Sequence, residues 1–313
     1  MSQDYEETLA KMQGSASLDA GSAADYIALM KPRVMSLVVF TALVGMIMAP
    51  GGFGETGLHP VLAIAALALI SVGAGASAAL NMWYDADIDA IMSRTKERPI
   101  PSGRVSKGSA LVFGLWVSGL AVMGMAVMIN YLSAALLAFT IFFYAVIYTM
   151  FLKRATAQNI VIGGAAGALP PVIGWAAAAN SLSIEPLIYF AIIFFWTPPH
   201  FWALALIKND DYKAAKIPML PVTSGEKATL RQIVAYSIVL FGVTLLPYIL
   251  GFSGQFYAAG ASLLGLIFVG MCVYLAFSND EQRNRIAGMT FVYSIFYLFL
   301  LFVLLPADKL VGA

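Results

Sequence analysis

The chain has 313 residues, of which 60% are apolar and 11% charged, with a mean hydropathy of +0.83 and a net charge of +1. Soluble domains are nearer half apolar and a quarter charged, so this composition excludes a water-soluble globule and points to an all-α integral membrane protein in the lipid bilayer. The near-neutral charge says little about partners, no nucleic acid is expected among them, and the one cysteine, Cys272, reads as a buried structural thiol that excludes a disulfide framework within the chain.

Residues 1–26 come first and are polar and acidic, with Asp4, Glu6, Glu7, Asp19 and Asp25. A signal peptide would be basic and then apolar, and a mitochondrial transit peptide would be rich in Arg and poor in acids. The expectation is a short disordered cytoplasmic tail on a bacterial inner-membrane protein, with residues 27–313 forming a single membrane domain.

A membrane-crossing helix needs about 20 apolar residues. Nine stretches qualify: Ala28–Met48, Pro60–Leu80, Ala110–Ile129, Leu132–Phe151, Asn159–Ala179, Pro186–Leu206, Leu230–Leu250, Gln255–Phe277 and Gly288–Leu305. The links Asn130–Tyr131 and Gly251–Gly254 are tight turns, so the helices they join are antiparallel neighbours. With the N-terminus in the cytoplasm, every one of the 18 Lys and Arg except Lys309 lies inside, as the positive-inside rule asks, and the C-terminus is periplasmic. The far loops carry mainly Glu55, His59 and Glu185, and His59 reads as an interface residue. Pro170–Pro171 and Pro198–Pro199 are expected to interrupt the fifth and sixth spans, and Pro247 lies in the seventh. Gly163, Gly164 and Gly167 permit close helix approach. These breakers serve either packing or the wall of a cavity.

The charges concentrate in three loops on one membrane face. NMWYDADIDAIMSRTKERPIPSGRV follows the second span, from Asn81 to Val105. Asn81, Asp85 and Asp89 are spaced i, i+4, i+8 and share one helical face; Asp87 points elsewhere. They stand at a solvent-facing helix C-terminus, where the dipole disfavours each carboxylate by about 0.3–1 kcal/mol. Like charges at i, i+4 cost about a further 0.2–0.5 kcal/mol. A bound cation reverses the sign, and oxygen ligands of this kind suit Mg²⁺ beside phosphate oxygens; the alternative is a solvated acidic helix end balanced by Arg94, Lys96, Arg98, Arg104 and Lys107. The second loop, Tyr148–Asn159, brings Lys153 and Arg154. The third, Ile207–Lys227, brings Asp210, Asp211, Tyr212, Lys213 and Lys216. Two acidic clusters with cations around them can hold a diphosphate through bridging metals.

Those stretches, with YTMFLKRATAQNIVIGGAAGALPPVIGW, HFWALA and DDYKAAKIPMLPV, resemble the UbiA superfamily of intramembrane prenyltransferases, and within it the branch whose acceptor is haem B. The likeness runs from KPRV at Lys31 to the ninth span. It implies nine transmembrane helices around a central cavity. It implies a Mg²⁺-dependent transfer of the farnesyl group of farnesyl diphosphate to a vinyl group of haem B, with water added to give haem O for terminal oxidases. A haem A synthase or an oxidase assembly factor is the implied protein partner. The metal ligands implied are Asn81, Asp85 and Asp89, with Asp210 and Asp211 for a second ion. Asp210 and Asp211 are adjacent where the superfamily spaces its second aspartates. Asp85, Asp89 and Lys153 take the catalytic roles; Arg94, Arg98, Arg154, Tyr148, Tyr212 and Lys216 take substrate. His200, within the sixth span, either contacts haem iron or bonds a neighbouring helix. The rival readings are a phenolic acceptor in the same superfamily and a membrane transporter; against the latter, the aspartates sit at helix ends and no inverted repeat is visible.

Overall fold

The computed structural model describes residues 21–52 and 57–312. Residues 1–20 of the expected tail, and Glu55, lie outside that part. From Ser22 onward the expectation of disorder is corrected. Helix α1 (Ala23–Leu29) starts with a capping box, in which the Ser22 hydroxyl accepts from the Asp25 N–H (3.2 Å) and the Asp25 carboxylate accepts from the Ser22 N–H (3.1 Å). Arg104 then reaches Asp25 at 2.8 Å, and Leu29 is buried. Two local caps and one apolar anchor order a segment whose average composition reads as unfolded.

The remaining helices are α2 (Pro32–Met48), α3 (Pro60–Tyr84), α4 (Ala86–Ile91), α5 (Lys107–Met128), α6 (Tyr131–Ala155), α7 (Asn159–Ala168), α8 (Pro170–Ala179), α9 (Ile184–Ile207), α10 (Asn209–Ala214), α11 (Leu220–Ile249), α12 (Gln255–Ala276) and α13 (Asp280–Val311). Among the described residues, with α7–α8 taken as one span, eight helices are long and apolar enough to cross a membrane, and α2 adds the shorter apolar segment Met35–Met48. Each of the nine expected stretches overlaps one of these. The largest boundary differences are polar extensions that hydropathy does not see. α13 begins at Asp280, where Asn279 caps it (3.0 Å) and Arg283 holds Asp280 and Glu226 at 2.6 Å each. α11 begins at Leu220 and breaks at Gly225, whose φ of 79° lies in the left-handed region open to glycine.

The two proline pairs behave differently. Pro170 and Pro171 divide α7 from α8, because proline fits the first turn of a helix and has no N–H to give the turn before. Pro198 and Pro199 do not divide α9, which runs through them with α7, α11 and α13 packed around it. At the far end, Asn130 caps α6 by accepting from Ser133 N–H (2.8 Å). Its amide donates to the carbonyls of Ala176 and Ala177, which ties that turn to α8.

In the bundle α3 packs on α2, α5 and α6, α9 on α7, α11 and α13, and α12 between α11 and α13; contact between α13 and α2 closes the ring. α5 turns Leu115, Trp116, Leu120, Met123 and Val127 outward, as a lipid-facing helix does. Trp175, Trp196 and Trp202 are buried inside the bundle. α2 and α8 cross at backbone contact. A Cβ on Gly45 would run into the Pro171 carbonyl, and one on Gly174 into the Ala42 carbonyl. Gly163 and Gly164 leave room for the Tyr148 ring and the Thr197 side chain, whereas Gly167 faces open space and permits no close approach.

Candidate functional site

α3 ends at Tyr84 and α4 begins at Ala86, but the hydrogen-bond ladder carries across: Asp85 N–H donates to Asn81 C=O (2.9 Å) and Asp89 N–H to Asp85 C=O (2.8 Å). The i, i+4, i+8 face therefore survives the joint. Asn81, Asp85 and Asp89 are 4%, 0% and 2% exposed, while the Asp87 side chain is 58% exposed. The division between the shared face and Asp87 is as the spacing predicts. The solvent-facing setting is not: the face turns inward, beneath the loops that follow.

Burying two carboxylates and an amide requires partners. The Asn81 amide N–H₂ donates to Asp85 Oδ2 (2.7 Å) and Thr149 Oγ (3.2 Å), and Asn81 Oδ1 accepts from Lys31 Nζ (3.0 Å). Lys153 pairs with Asp85 Oδ2, Arg154 stands 3.6 Å from Asp85 Oδ1, and Arg98 pairs with Asp89 at 2.6 Å. Arg154 also grips Asp87 with two hydrogen bonds (2.7 and 2.8 Å), which hold that carboxyl below the usual carboxylate range. Asp85 Oδ1 is buried and takes no hydrogen bond among the described residues.

The second loop reaches this face through an irregular helix. Phe143–Leu152 of α6 is π-helical, a feature common at functional sites. Thr149 Oγ donates to Tyr144 C=O five residues back (2.8 Å), and Tyr144 and Tyr148 pack together with centroids 5.4 Å apart. Lys153 follows the π-helical stretch directly. The third loop joins through Ser93, which donates to Asp211 Oδ2 (2.8 Å), and through a cap of Ile88, Met92, Ile160, Ala205, Ile217 and Met219, with Tyr212 packed against it. Burial raises the Tyr212 phenol above its ordinary value. Asp210 is fully exposed and pairs with Lys213 at 3.8 Å; Arg94 and Lys216 are also exposed.

Lys31, marked in the sequence by the orientation rule and by the KPRV stretch but by no site motif, joins this face. It sits at φ 52°, ψ 58°, a left-handed backbone uncommon outside glycine, and that turn aims its ammonium at Asn81. Its signal in the sequence is its place between α1 and Pro32.

Among the described residues no three His, Cys, Asp or Glu converge as a metal cage. The face offers two carboxylates and an amide oxygen, with one carboxylate oxygen orphaned. That donor set fits Mg²⁺, which takes few protein ligands and keeps places for water and phosphate oxygens.

Deeper in the bundle, His200 lies flat between Trp196 (centroids 4.3 Å) and Phe291 (4.5 Å), and its Nδ1 meets Ser294 Oγ at 2.6 Å. The Trp196 indole N–H donates to Ser294 C=O (2.7 Å). His200 thus does bond a neighbouring helix, α13, and its Nε2 takes no hydrogen bond among the described residues.

The family model for the UbiA prenyltransferase family matches residues 38–304. A protoheme IX farnesyltransferase of Parvibaculum lavamentivorans is 59% identical over 297 residues, covering 93% of this chain and 91% of its own. Protoheme IX farnesyltransferase 2 of Mesorhizobium japonicum is 55% identical over 295 residues, covering 94% and 92%. Among solved structures, digeranylgeranylglyceryl phosphate synthase aligns with a TM-score of 0.73 at 16% identity, over 90% of this chain and 98% of that one. A UbiA homolog from Archaeoglobus fulgidus bound to GPP and Mg²⁺ aligns with a TM-score of 0.61 at 16% identity, over 90% and 99%. At such identities the structures establish a shared fold.

Proposed function

The chain belongs to the UbiA prenyltransferase family, and we propose that it transfers the farnesyl group of farnesyl diphosphate to a vinyl group of haem B, with addition of water, to give haem O. The observation that carries this reading is the buried face of Asn81, Asp85 and Asp89 ringed by Lys31, Arg98, Lys153 and Arg154. It is a site for a polyanion with a divalent cation, at the mouth of an apolar bundle. The acceptor follows the activity of relatives at 55–59% identity across nine-tenths of the chain.

Asn81, Asp85 and Asp89 would hold Mg²⁺, and Asp211, tied to the first loop through Ser93, is the third loop's candidate for a second ion. Mg²⁺ when bound supplies charge neutralisation to the diphosphate oxygens. Lys153, Arg154 and Arg98, which pair with the carboxylates, and Lys31, which holds the Asn81 amide oxygen, would stand around the diphosphate as charge develops on it. The allylic C–O bond breaks and pyrophosphate leaves with the electron pair. The vinyl group attacks the allylic carbon, and water adds to the resulting cation with loss of a proton. Tyr144 and Tyr148, beside the carboxylate face, offer ring faces to the positive allyl group. The charged face is the cytoplasmic one in this reading, the membrane is the bacterial inner membrane, and haem O passes to a haem A synthase or an oxidase.

The direct test is mass analysis after incubating purified protein with haem B, farnesyl diphosphate and Mg²⁺. A haem product heavier by one farnesyl group and one water is expected; prenylation of an aromatic acid with haem B untouched would overturn the reading.

Two further results are expected. Lys153→Met and Arg98→Met should raise the KM for farnesyl diphosphate about 10-fold or more, since charge-assisted hydrogen bonds contribute roughly 1.5–3 kcal/mol each. Haem affinity in those variants should stay within about twofold; equal loss of both would mean a general structural role. For the acceptor, His200→Ala should change the optical spectrum of bound haem B and weaken its binding, with farnesyl diphosphate binding retained. At about 1.5 Å per residue, His200 lies about 12 Å along α9 from Lys208 at the charged face. An unaltered haem spectrum in folded His200→Ala would make His200 a packing residue.

A further inference from the structure

The hydroxyl of Ser294 has one proton, and two groups compete for its oxygen. Phe291 C=O lies 2.6 Å from Ser294 Oγ, three residues back on α13. A carbonyl only accepts, so the Ser294 proton is committed to it. His200 Nδ1 also lies 2.6 Å from Ser294 Oγ. With the hydroxyl proton already used, that contact is a hydrogen bond only if Nδ1 carries a proton and donates it. The neutral imidazole then has a bare lone pair on Nε2. Nε2 takes no hydrogen bond among the described residues and is not one of the fully buried orphaned atoms, so it keeps an accessible edge. Trp196 and Phe291 cover both faces of the ring, and Phe201 stands edge-on at 5.1 Å, so the ring cannot turn over without displacing aromatic neighbours.

We infer that Ser294 is a positioning residue that locks His200 in the Nδ1–H tautomer and so presents the Nε2 lone pair as a ligand for the acceptor's iron. This rests on the haem-acceptor reading for its ligand, but not for the tautomer. Second partners of this kind, an oxygen accepting from the other ring nitrogen, commonly orient ligating histidines and are worth about 10–100-fold in affinity.

The chain has two histidines, and the second is a built-in control. His59 Nδ1 accepts from the Val61 N–H (3.3 Å), so His59 when neutral carries its proton on Nε2. Protein labelled with ¹⁵N-histidine, at a pH where His59 is neutral, should therefore show two imidazoles of opposite tautomer. The His200→Ala protein identifies which is which. An Nε2–H tautomer at His200 in the unmodified protein overturns the inference. In Ser294→Ala, His200 should lose the fixed Nδ1–H signature, and haem B affinity should fall about 10–100-fold with a changed spectrum. Ser294→Thr, which keeps the hydroxyl, should restore both. If the unmodified protein shows the Nδ1–H tautomer and Ser294→Ala removes it while haem B binding and spectrum stay unchanged, the tautomer lock stands and the haem-ligand reading of His200 fails. A Ser294→Ala protein that keeps the tautomer overturns Ser294 as its cause.

Discussion

Asp85→Asn and Asp89→Asn should each lower turnover by at least about 10²–10³-fold, the range for removing one preorganised electrostatic group from an active site. The swap is nearly isosteric, so the geometry of the face survives, but a ligand charge for the metal is gone. Asp85 is the more severe case. It is fully buried, its Oδ2 accepts from the Asn81 amide and pairs with Lys153, and its Oδ1 takes no hydrogen bond among the described residues. Asparagine there leaves the Lys153 ammonium without its carboxylate, although that side chain is 18% exposed and keeps water within reach. Breaking a fully buried pair costs about 3–5 kcal/mol, and partial hydration reduces this, so a folded protein is expected in detergent. Asp87→Asn should cost less than about fivefold, because an exposed pair such as Asp87–Arg154 contributes roughly 0–1 kcal/mol. Turnover and thermal melting of the three variants decide it. An inactive Asp87 variant beside an active Asp85 variant would assign the metal to the wrong helical face.

Gly174→Val should prevent recovery of a stable protein. Overpacking a core where side chains can yield costs about 1–3 kcal/mol. Here the added atoms meet the Ala42 carbonyl, part of the α2 backbone, which yields only if the helices separate. Separation would also open the Gly45–Pro171 contact and shift α2, whose first turn follows Lys31. Gly167→Ala, seven residues earlier in the same span, faces open space and should leave the melting temperature unchanged or slightly raised, since alanine favours helix over glycine by up to about 1 kcal/mol. Equal melting temperatures for Gly174→Val and the unmodified protein would rule out the close α2–α8 crossing.

Hydropathy, charge placement and helical spacing are local properties, and what depends on them was legible in the linear chain. The apolar runs marked nine helical segments because a bilayer leaves the backbone no other partner than itself. The i, i+4, i+8 spacing put Asn81, Asp85 and Asp89 on one face and left Asp87 off it, and the helix ladder keeps that face across the joint at Asp85. The wording of the motifs gave the family. What the sequence could not carry was which partner each charged group finds. Burial of the aspartate face depends on loops from three places in the chain meeting over it. Lys31 reaches Asn81 only because a left-handed turn, invisible to composition, points it inward. Asp211, not exposed Asp210, is tied to the first cluster, by a hydroxyl from a loop more than a hundred residues away. The π-helical stretch that carries Tyr144, Tyr148 and Thr149 differs from an ordinary helix by one step in hydrogen-bond register, which its apolar sequence does not mark. His200 shows the same division: its place in an apolar span was plain, but its proton is assigned by a serine on another helix, and only folding brings the two within hydrogen-bond reach.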